Sequence, residues 1–305
     1  MMNKTRTFGV EKFDVVVMNP PYQELRIGNK KSNPLWDKFV IKVIEQSLVE
    51  NGYLVAVHPD GWRNIGTGYE IVKQILKKRQ MLYLQVHDKY DGLTIFGAKT
   101  TFDFYCIRNN VNNNFHTKIK CKDGKTQRID ISKWDFIPNG MYDEFNKILG
   151  KKDDEKVHLL YSRSSYGSDK KHISKVKTSE FKFPVIYTIS KDASLKFLYS
   201  NTNKNGHYGL SKLIWSNGIS EPYIDCDGDY SISNFAYAII DEKDKLPLIK
   251  KALLNKKFLQ LMQFSDGSMI GHHRFNHKAI SLFRKDFWVD FLDYDETAVA
   301  EETKN

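Results

Sequence analysis

Cysteine and long apolar runs are both scarce in this chain of 305 residues. Its three cysteines, Cys106, Cys121 and Cys226, are widely spaced and match no metal-binding or redox motif. This usage is typical of a reducing compartment, so we expect a cytoplasmic protein. No apolar run reaches the roughly 18 residues that a membrane helix needs, and no apolar core of a secretory signal follows the basic N-terminal residues. The sequence therefore predicts neither a membrane protein nor a secreted one.

Positive charge is in excess. The formal net charge is +10 at pH 7, with 41% hydrophobic and 28% charged residues, which is typical of a globular protein long enough for two domains. The excess favours an anionic partner, and nucleic acid is the commonest one. Lysine-rich solvated surfaces are also common, so charge alone does not decide.

The most informative segment is an apolar run that ends in two prolines. Residues 15–18 predict a strand buried on both faces of a parallel sheet. Pro20 and Pro21 cannot continue the strand ladder, because they have no N–H group. Asn19 and Tyr22 are therefore expected at the carboxyl end of this strand, which is where open α/β sheets bind ligands.

These residues suit the capture of a planar amino group. The side-chain carbonyl of Asn19 and the backbone carbonyl of Pro20 can each accept one of its hydrogens. The ring of Tyr22 can stack on a nucleic-acid base, which is typically worth ~1–3 kcal/mol. The alternative is a strand followed by a proline turn with a half-buried tyrosine. The apolar strand before the motif and the helix predicted after it favour the functional interpretation.

The segment from Asp14 to Tyr22 resembles the catalytic motif of S-adenosylmethionine-dependent amino methyltransferases. The similarity is strongest to the adenine-specific DNA methyltransferases of restriction–modification systems, and it extends over roughly the first third of the chain. In that family the motif's asparagine and first proline hold the target amine, and its aromatic residue stacks on the flipped base. The resemblance implies these roles for Asn19, Pro20 and Tyr22, with Pro21 completing the motif. It also implies S-adenosyl-L-methionine as methyl donor and double-stranded DNA as substrate.

The segments after the motif predict a strand–helix–strand unit. Residues 34–50 have helical periodicity, and Asn51 and Gly52 are typical residues of a helix C-cap. Residues 53–57 predict the next buried strand, parallel to the first. Residues 81–87 and 101–107 predict an antiparallel pair of strands joined by a loop at 90–100. In the resembled family an aromatic residue near this point forms the other side of the base pocket. Phe102 is the nearest match and Phe96 the second, although core packing explains both equally well.

Several basic residues are candidate DNA contacts. Arg63 follows the second strand, next to Trp62, which either walls the pocket or is simply buried. The other candidates lie in a lysine-rich segment at 150–182 and in a loop rich in glycine and histidine at 267–277: Lys170, Lys171, His272 and Arg274. No cysteine or carboxylate lies at ligand spacing from the histidines of this loop, so we expect no metal.

The predicted fold is α/β. We expect a partial Rossmann-like methyltransferase sheet, the catalytic half, over residues 1–138, and a mixed α+β target-recognition domain over residues 139–305. Few residues precede the first strand, and no glycine-rich turn after an apolar strand occurs later, so the donor-binding half is expected to be missing. The sequence thus predicts a truncated or split DNA methyltransferase that needs a second chain carrying the donor half. Two alternatives remain: a non-catalytic DNA-binding specificity subunit or remnant, and an amino methyltransferase that acts on protein glutamine or on RNA.

Overall fold

The protein is a mixed α/β molecule, and the residues that its structure describes form one six-stranded and two four-stranded sheets. The computed structural model describes residues 11–24, 33–216, 218, 220–265 and 275–292. These residues divide into two compact units, one up to Gly140 and the other from Met141 onwards. None of the helices described is long and apolar enough to cross a membrane.

The first unit is built on a mixed sheet with the strand order β1-β2-β4-β3-β5-β6. Strand β1 pairs parallel to β2, and β4 pairs antiparallel to both β2 and β3, so β1, β2 and β3 run in the same direction. The predicted strands and their relative directions are therefore confirmed. The elements of this unit are β1 Phe13–Met18, α1 Trp36–Lys42, β2 Leu48–Pro59, α2 Glu70–Lys77, β3 Arg79–His87, α3 Lys89–Phe96, β4 Phe102–Val111, β5 Thr117–Lys120 and β6 Thr126–Ile129.

The two faces of this sheet differ in burial. On one face Leu54 and Tyr105 are fully buried, and Trp36 of α1 stacks on His58 of the same face. On the other face Val15 and Val17 are 56% and 74% exposed. The prediction that the first strand is buried on both faces is wrong, because β1 is the edge strand among the described residues and no described helix covers its outer face.

The helix predicted at 34–50 is shorter in the structure. Helix α1 ends at Lys42, a π-helical turn covers Val43–Ser47, and β2 begins at Leu48. Asn51 has a φ of 63°, as its sequence signal suggested, but it lies inside β2. The pairing of β1 with β2 shifts here from Phe13↔Leu48 to Val15↔Tyr53. Asn51 and Gly52 therefore lie in a bulge of β2 and do not cap a helix.

The connection predicted as a loop at 90–100 contains helix α3. Its N-terminus has a capping box formed by Asp88 and Asp91, and Gly97 ends it in the left-handed conformation. The helix is only eight residues long and has no amphipathic pattern, which is why periodicity did not predict it.

The second unit combines two small sheets with helices that pack on one another. The sheets have the orders β13-β9-β10-β8 and β12-β11-β14-β7. The strands are β7 Leu159–Leu160, β8 Ile173–Ser174, β9 Phe183–Ile189, β10 Leu195–Ser200, β11 Lys212–Ser216, β12 Tyr223–Asp225, β13 Ser231–Ile232 and β14 Ala236–Ile240. The helices are α4 Tyr142–Ile148, α5 Arg163–Tyr166, α6 Leu246–Leu254, α7 Lys256–Phe264 and α8 His277–Ile280.

Candidate active site

The motif of Asn19 to Tyr22 directly follows β1, at the sheet edge where the carboxyl ends of β1, β2 and β3 meet. Pro20 is buried, whereas Asn19 is exposed and its side chain makes no hydrogen bond to the described residues. Each proline fixes its own φ and restricts the backbone of the residue before it. The side chain of Asn19 and the carbonyl of Pro20 are therefore attached to a conformationally restricted backbone. The amide of Asn19 is thus available to a ligand.

The backbone at Tyr22 and Gln23 is held by the segment just before helix α1. The Tyr22 backbone carbonyl accepts a hydrogen bond from the Leu35 N–H at 3.1 Å, and Gln23 forms an isolated β-bridge with Pro34. The side chain is half-buried, and its hydroxyl is buried without a hydrogen bond. Burial raises the pKa of Tyr22, so the phenol stays neutral at physiological pH. The ring is therefore a neutral aromatic surface on a held segment of backbone.

Behind the sheet edge lies a packed aromatic group around His58. Its imidazole stacks on Trp36 with ring centroids 4.0 Å apart. Nδ1 donates to the Pro59 carbonyl at 2.9 Å, because that oxygen can only accept, and Nε2 accepts from the Tyr105 hydroxyl at 2.9 Å. Burial lowers the pKa of His58 to about 3. The imidazole is a neutral core group that supports the end of β2.

A buried hydrogen-bond network holds the turn that follows β2. Arg63 Nε donates to Asp103 Oδ2 at 2.8 Å, and Nη1 donates to the Ile137 carbonyl at 2.9 Å and to Asn139 Oδ1 at 2.8 Å. Trp62 Nε1 donates to the same Asp103 oxygen at 2.8 Å. Arg63 is 2% exposed and Trp62 is fully buried, so neither presents a surface to DNA. The expectation that Arg63 contacts DNA is thus corrected, because its guanidinium is hydrogen-bonded inside the fold.

The carboxylates of this network are also held. Asp60 accepts from Thr101 Oγ1 at 2.7 Å and from Arg63 Nη2 at 3.4 Å. Burial raises the pKa of Asp103, and the neighbouring Arg63 charge and the hydrogen bond from Trp62 oppose that rise. Sequence reasoning missed this network. The signal for it is Asp103, a lone carboxylate in an apolar strand, since a buried charge requires a partner.

The two aromatic candidates for base stacking lie together at the same edge of the sheet. Phe102 is 3% exposed, with the imidazole of His87 stacked on it at 4.3 Å and the ring of Phe96 edge-on at 4.9 Å. Phe96 itself is 40% exposed. Phe102 is thus a buried ring that supports its neighbours, and Phe96 carries the accessible surface, while the stacking of either ring on a base stays a prediction.

Two of the remaining DNA-contact candidates lie in the second unit. Lys171 is exposed and Lys170 half-buried, in the turn before β8. His272 and Arg274 lie outside the described residues. Within the described part of the chain, no three histidine, cysteine or carboxylate side chains lie close enough together to hold a metal ion.

Comparison with known families gives a match over the first part of the chain. Residues 1–96 match the family described as Eco57I restriction-modification methylase. The matched segment is under a third of the chain. No protein with curated annotation matches the chain.

Several solved structures resemble parts of the chain. One is the type IIL restriction–modification enzyme MmeI in complex with DNA, at 10% sequence identity, covering 88% of this chain and 46% of that one, with a TM-score of 0.49. Another is the type ISP restriction–modification enzyme LlaGI with a DNA substrate mimic, at 9% identity, 82% and 38% coverage and a TM-score of 0.39. A third is the methyltransferase subunit of a type I restriction–modification system from Streptococcus thermophilus, at 16% identity, 40% and 30% coverage and a TM-score of 0.28.

The chain spans less than half the length of each of these three structures. None of the three is similar enough to establish a shared overall fold. What the comparisons establish is that the segment carrying β1, the motif and the first helices is similar to a restriction–modification methylase domain.

Proposed function

We propose that this chain is the catalytic and target-recognition part of an adenine-specific DNA methyltransferase of the restriction–modification type. The observation that carries the proposal is the exposed Asn19 at the carboxyl end of a parallel strand, followed by the buried Pro20 and the anchored Tyr22. Residues 19–22 lie within the segment, residues 1–96, that matches the methylase family.

In this proposal, Asn19 Oδ1 and the carbonyl of Pro20 accept the two hydrogens of the exocyclic adenine amine. Both acceptors then hold the nitrogen with its lone pair directed away from them. Positioning of this kind reduces the entropic part of the barrier. Tyr22 provides the face on which the base stacks, and the adenine must leave the duplex to reach it.

The methyl donor is expected to be S-adenosyl-L-methionine. The described residues do not form a complete site for it, because no described strand continues the sheet beyond β1 and the outer face of β1 is exposed. We therefore propose that the adenosine part of the donor is held by a donor-binding half outside these residues. This chain contributes the orientation of the acceptor.

The same exposed edge of β1 favours a second candidate function, a DNA-binding specificity subunit or remnant without catalysis of its own. Transfer of a tritiated methyl group distinguishes the two. The chain is assayed alone and together with the products of its neighbouring genes, with duplex DNA, RNA and protein as separate acceptors. Label in DNA that depends on this chain supports the methyltransferase. Label in RNA or protein alone, or in none of the acceptors, contradicts it.

A further inference from the structure

One face of the six-stranded sheet is apolar and open over most of its width. Residues that pair across neighbouring strands lie on the same face of a sheet. Helix α3 covers one end of this face, where the ring of Phe96 packs on Phe102. Beyond that end, the strand registers bring together apolar side chains that are exposed or half-buried: Val15, Val17, Tyr53, Val55, Cys106 and Tyr83.

The same face carries positive charge without acidic partners. Arg108 of β4 lies opposite Tyr53 of β2, and Lys118 and Lys120 of β5 continue the face beyond β3. Both lysines are exposed, and none of the three basic side chains makes an ion pair with a described residue. The described strand residues on this face include no carboxylate. The face is therefore apolar at β1 and β2 and basic towards β5.

Arg108 is held in this face with its hydrogen bonding incomplete. Its side chain is half-buried, and its Nε atom is buried without a hydrogen bond. A buried donor without a partner is unfavourable and rare in native proteins. A carboxylate can accept two parallel hydrogen bonds from one guanidinium group, which is the usual partner of a half-buried arginine. The structure thus lacks, among its described residues, the acidic group that Arg108 requires.

We infer that this sheet face is the docking surface for an amphipathic helical layer of the donor-binding half, and that a carboxylate of this layer pairs with Arg108. The inference rests on the proposed function and adds the docking face and the charged contact. Strands β1, β2 and β3 run in the same direction, and sheets built on parallel strands ordinarily have helices on both faces. Four strands ~4.8 Å apart are about 20 Å wide, which accommodates two helices of ~10 Å diameter.

The chemistry of the face favours protein over nucleic acid. Phosphates suit the two lysines, but protein–DNA interfaces are polar and strongly positive throughout, whereas β1 and β2 present valine side chains here. A helical layer that is apolar opposite β1 and β2 and acidic opposite Lys118 and Lys120 matches both parts of the face. Apolar packing then supplies the buried area, and the Arg108 pair fixes the position of the layer.

The first test is a photo-crosslink in cells that express the full chain with its neighbouring genes. The photoreactive residue benzoylphenylalanine replaces Val55 on this face, and it replaces Val111 in the control. Val111 is 58% exposed at the end of β4. Mass spectrometry of the crosslinked peptides should identify, for position 55 and not for position 111, a segment with helical apolar periodicity that contains Asp or Glu.

The second test measures binding of the purified crosslinked partner. Arg108→Glu should bind it at least about tenfold more weakly than wild type, because the pair is replaced by two like charges. Arg108→Lys, which keeps the charge but loses the bidentate geometry, should lie between them. Lys78→Glu is the matched control, because Lys78 is exposed at the end of α2, and it should bind like wild type. Reversal of the partner's carboxylate to lysine should restore binding to Arg108→Glu, which a misfolded variant would not show.

The outcomes separate this inference from the proposed function. Crosslinks from position 55 to a second copy of this chain, to nucleic acid or to nothing would overturn the inference while the proposed function stands. Equal affinities of Arg108→Glu and Lys78→Glu would overturn the role of Arg108. If the acidic helix is found at position 55 but no methyl group reaches DNA, the proposed function falls, and the assignment of the helix to a donor-binding half falls with it.

Discussion

Arg63 contributes to stability through a buried ion pair. Its guanidinium and the Asp103 carboxylate are 2% and 0% exposed. Removing one partner of such a pair leaves an uncompensated buried charge, which costs ~3–5 kcal/mol. Arg63→Ala should therefore lower the free energy of unfolding by about that amount in urea denaturation. Arg128→Ala, on the exposed face of β6, is the control and should change it little. Unchanged stability of Arg63→Ala together with lost DNA affinity would restore the DNA-contact role.

His58 should make the first unit less stable in acid. Burial lowers its pKa in the folded state to about 3, against about 6.5 in the unfolded chain. As the pH falls below about 6.5, only the unfolded chain takes up this proton, so the free energy of unfolding falls by at most ~1.4 kcal/mol per pH unit. The effect continues until the folded state titrates near pH 3.

His58→Gln removes this proton from the balance. In urea denaturation, wild type should lose free energy of unfolding between pH 7 and about pH 5. His58→Gln should lose less, because its side chain takes up no proton on unfolding. A lower stability of the variant at both pH values does not test this prediction. The difference in the free energy of unfolding between pH 7 and about pH 5 must be smaller in the variant than in wild type. A pH dependence identical to that of wild type would show that His58 is protonated in the folded state.

At the scale of elements, α3 depends on the close approach at Gly92. Gly92→Ala should displace the helix or the segment after it, because the new methyl group would meet the Thr100 carbonyl. Overpacking of this kind costs ~1–3 kcal/mol. Hydrogen exchange of the α3 amides should become faster. Gly97→Ala is the control: its Cβ meets nothing within 4 Å, and its φ of 67° costs an L-residue roughly 1–2 kcal/mol. Equal exchange rates in both variants would show that the close approach does not hold α3.

The strands were more predictable than the helices. Residues 53–57 and 81–87 are apolar runs of strand length, and both lie within observed strands. The end of α1 was not predictable, because Asn51 and Gly52 signal a positive φ without specifying whether a cap or a bulge uses it. The position of Asn19 follows from the strand before it and the prolines after it. The role of Arg63 does not, because its partner Asp103 lies in another strand and only tertiary packing brings the two together.

At the scale of the whole molecule, the described residues leave the outer face of β1 uncovered. Val15 and Val17 are apolar, exposed and on the edge strand of the described sheet, which is an aggregation hazard unless another element covers it. In the proposed function this cover is the donor-binding half. The net charge of +10 fits the second expected partner, DNA.

The 305-residue chain by itself should accordingly bind S-adenosylmethionine weakly. An anchor that contacts only the methyl and amino-acid end of the donor lacks most of the hydrogen bonds and the apolar slot for adenine, and each ~1.4 kcal/mol lost weakens binding tenfold. Isothermal calorimetry on the isolated chain should show no micromolar binding. Micromolar or tighter binding would mean that this chain contains a donor site and is an intact, permuted methyltransferase.

The role of Asn19 is tested most directly by the methylation state of DNA from cells that express the chain with its neighbouring genes. Asn19→Ala is compared with wild type and with Asn113→Ala, an exposed asparagine in the connection between β4 and β5. After nuclease digestion, mass spectrometry should find N6-methyladenine in DNA from wild type and from Asn113→Ala, and none in DNA from Asn19→Ala. Equal N6-methyladenine in the Asn19→Ala sample, or none in all three samples, would contradict the proposed catalytic role.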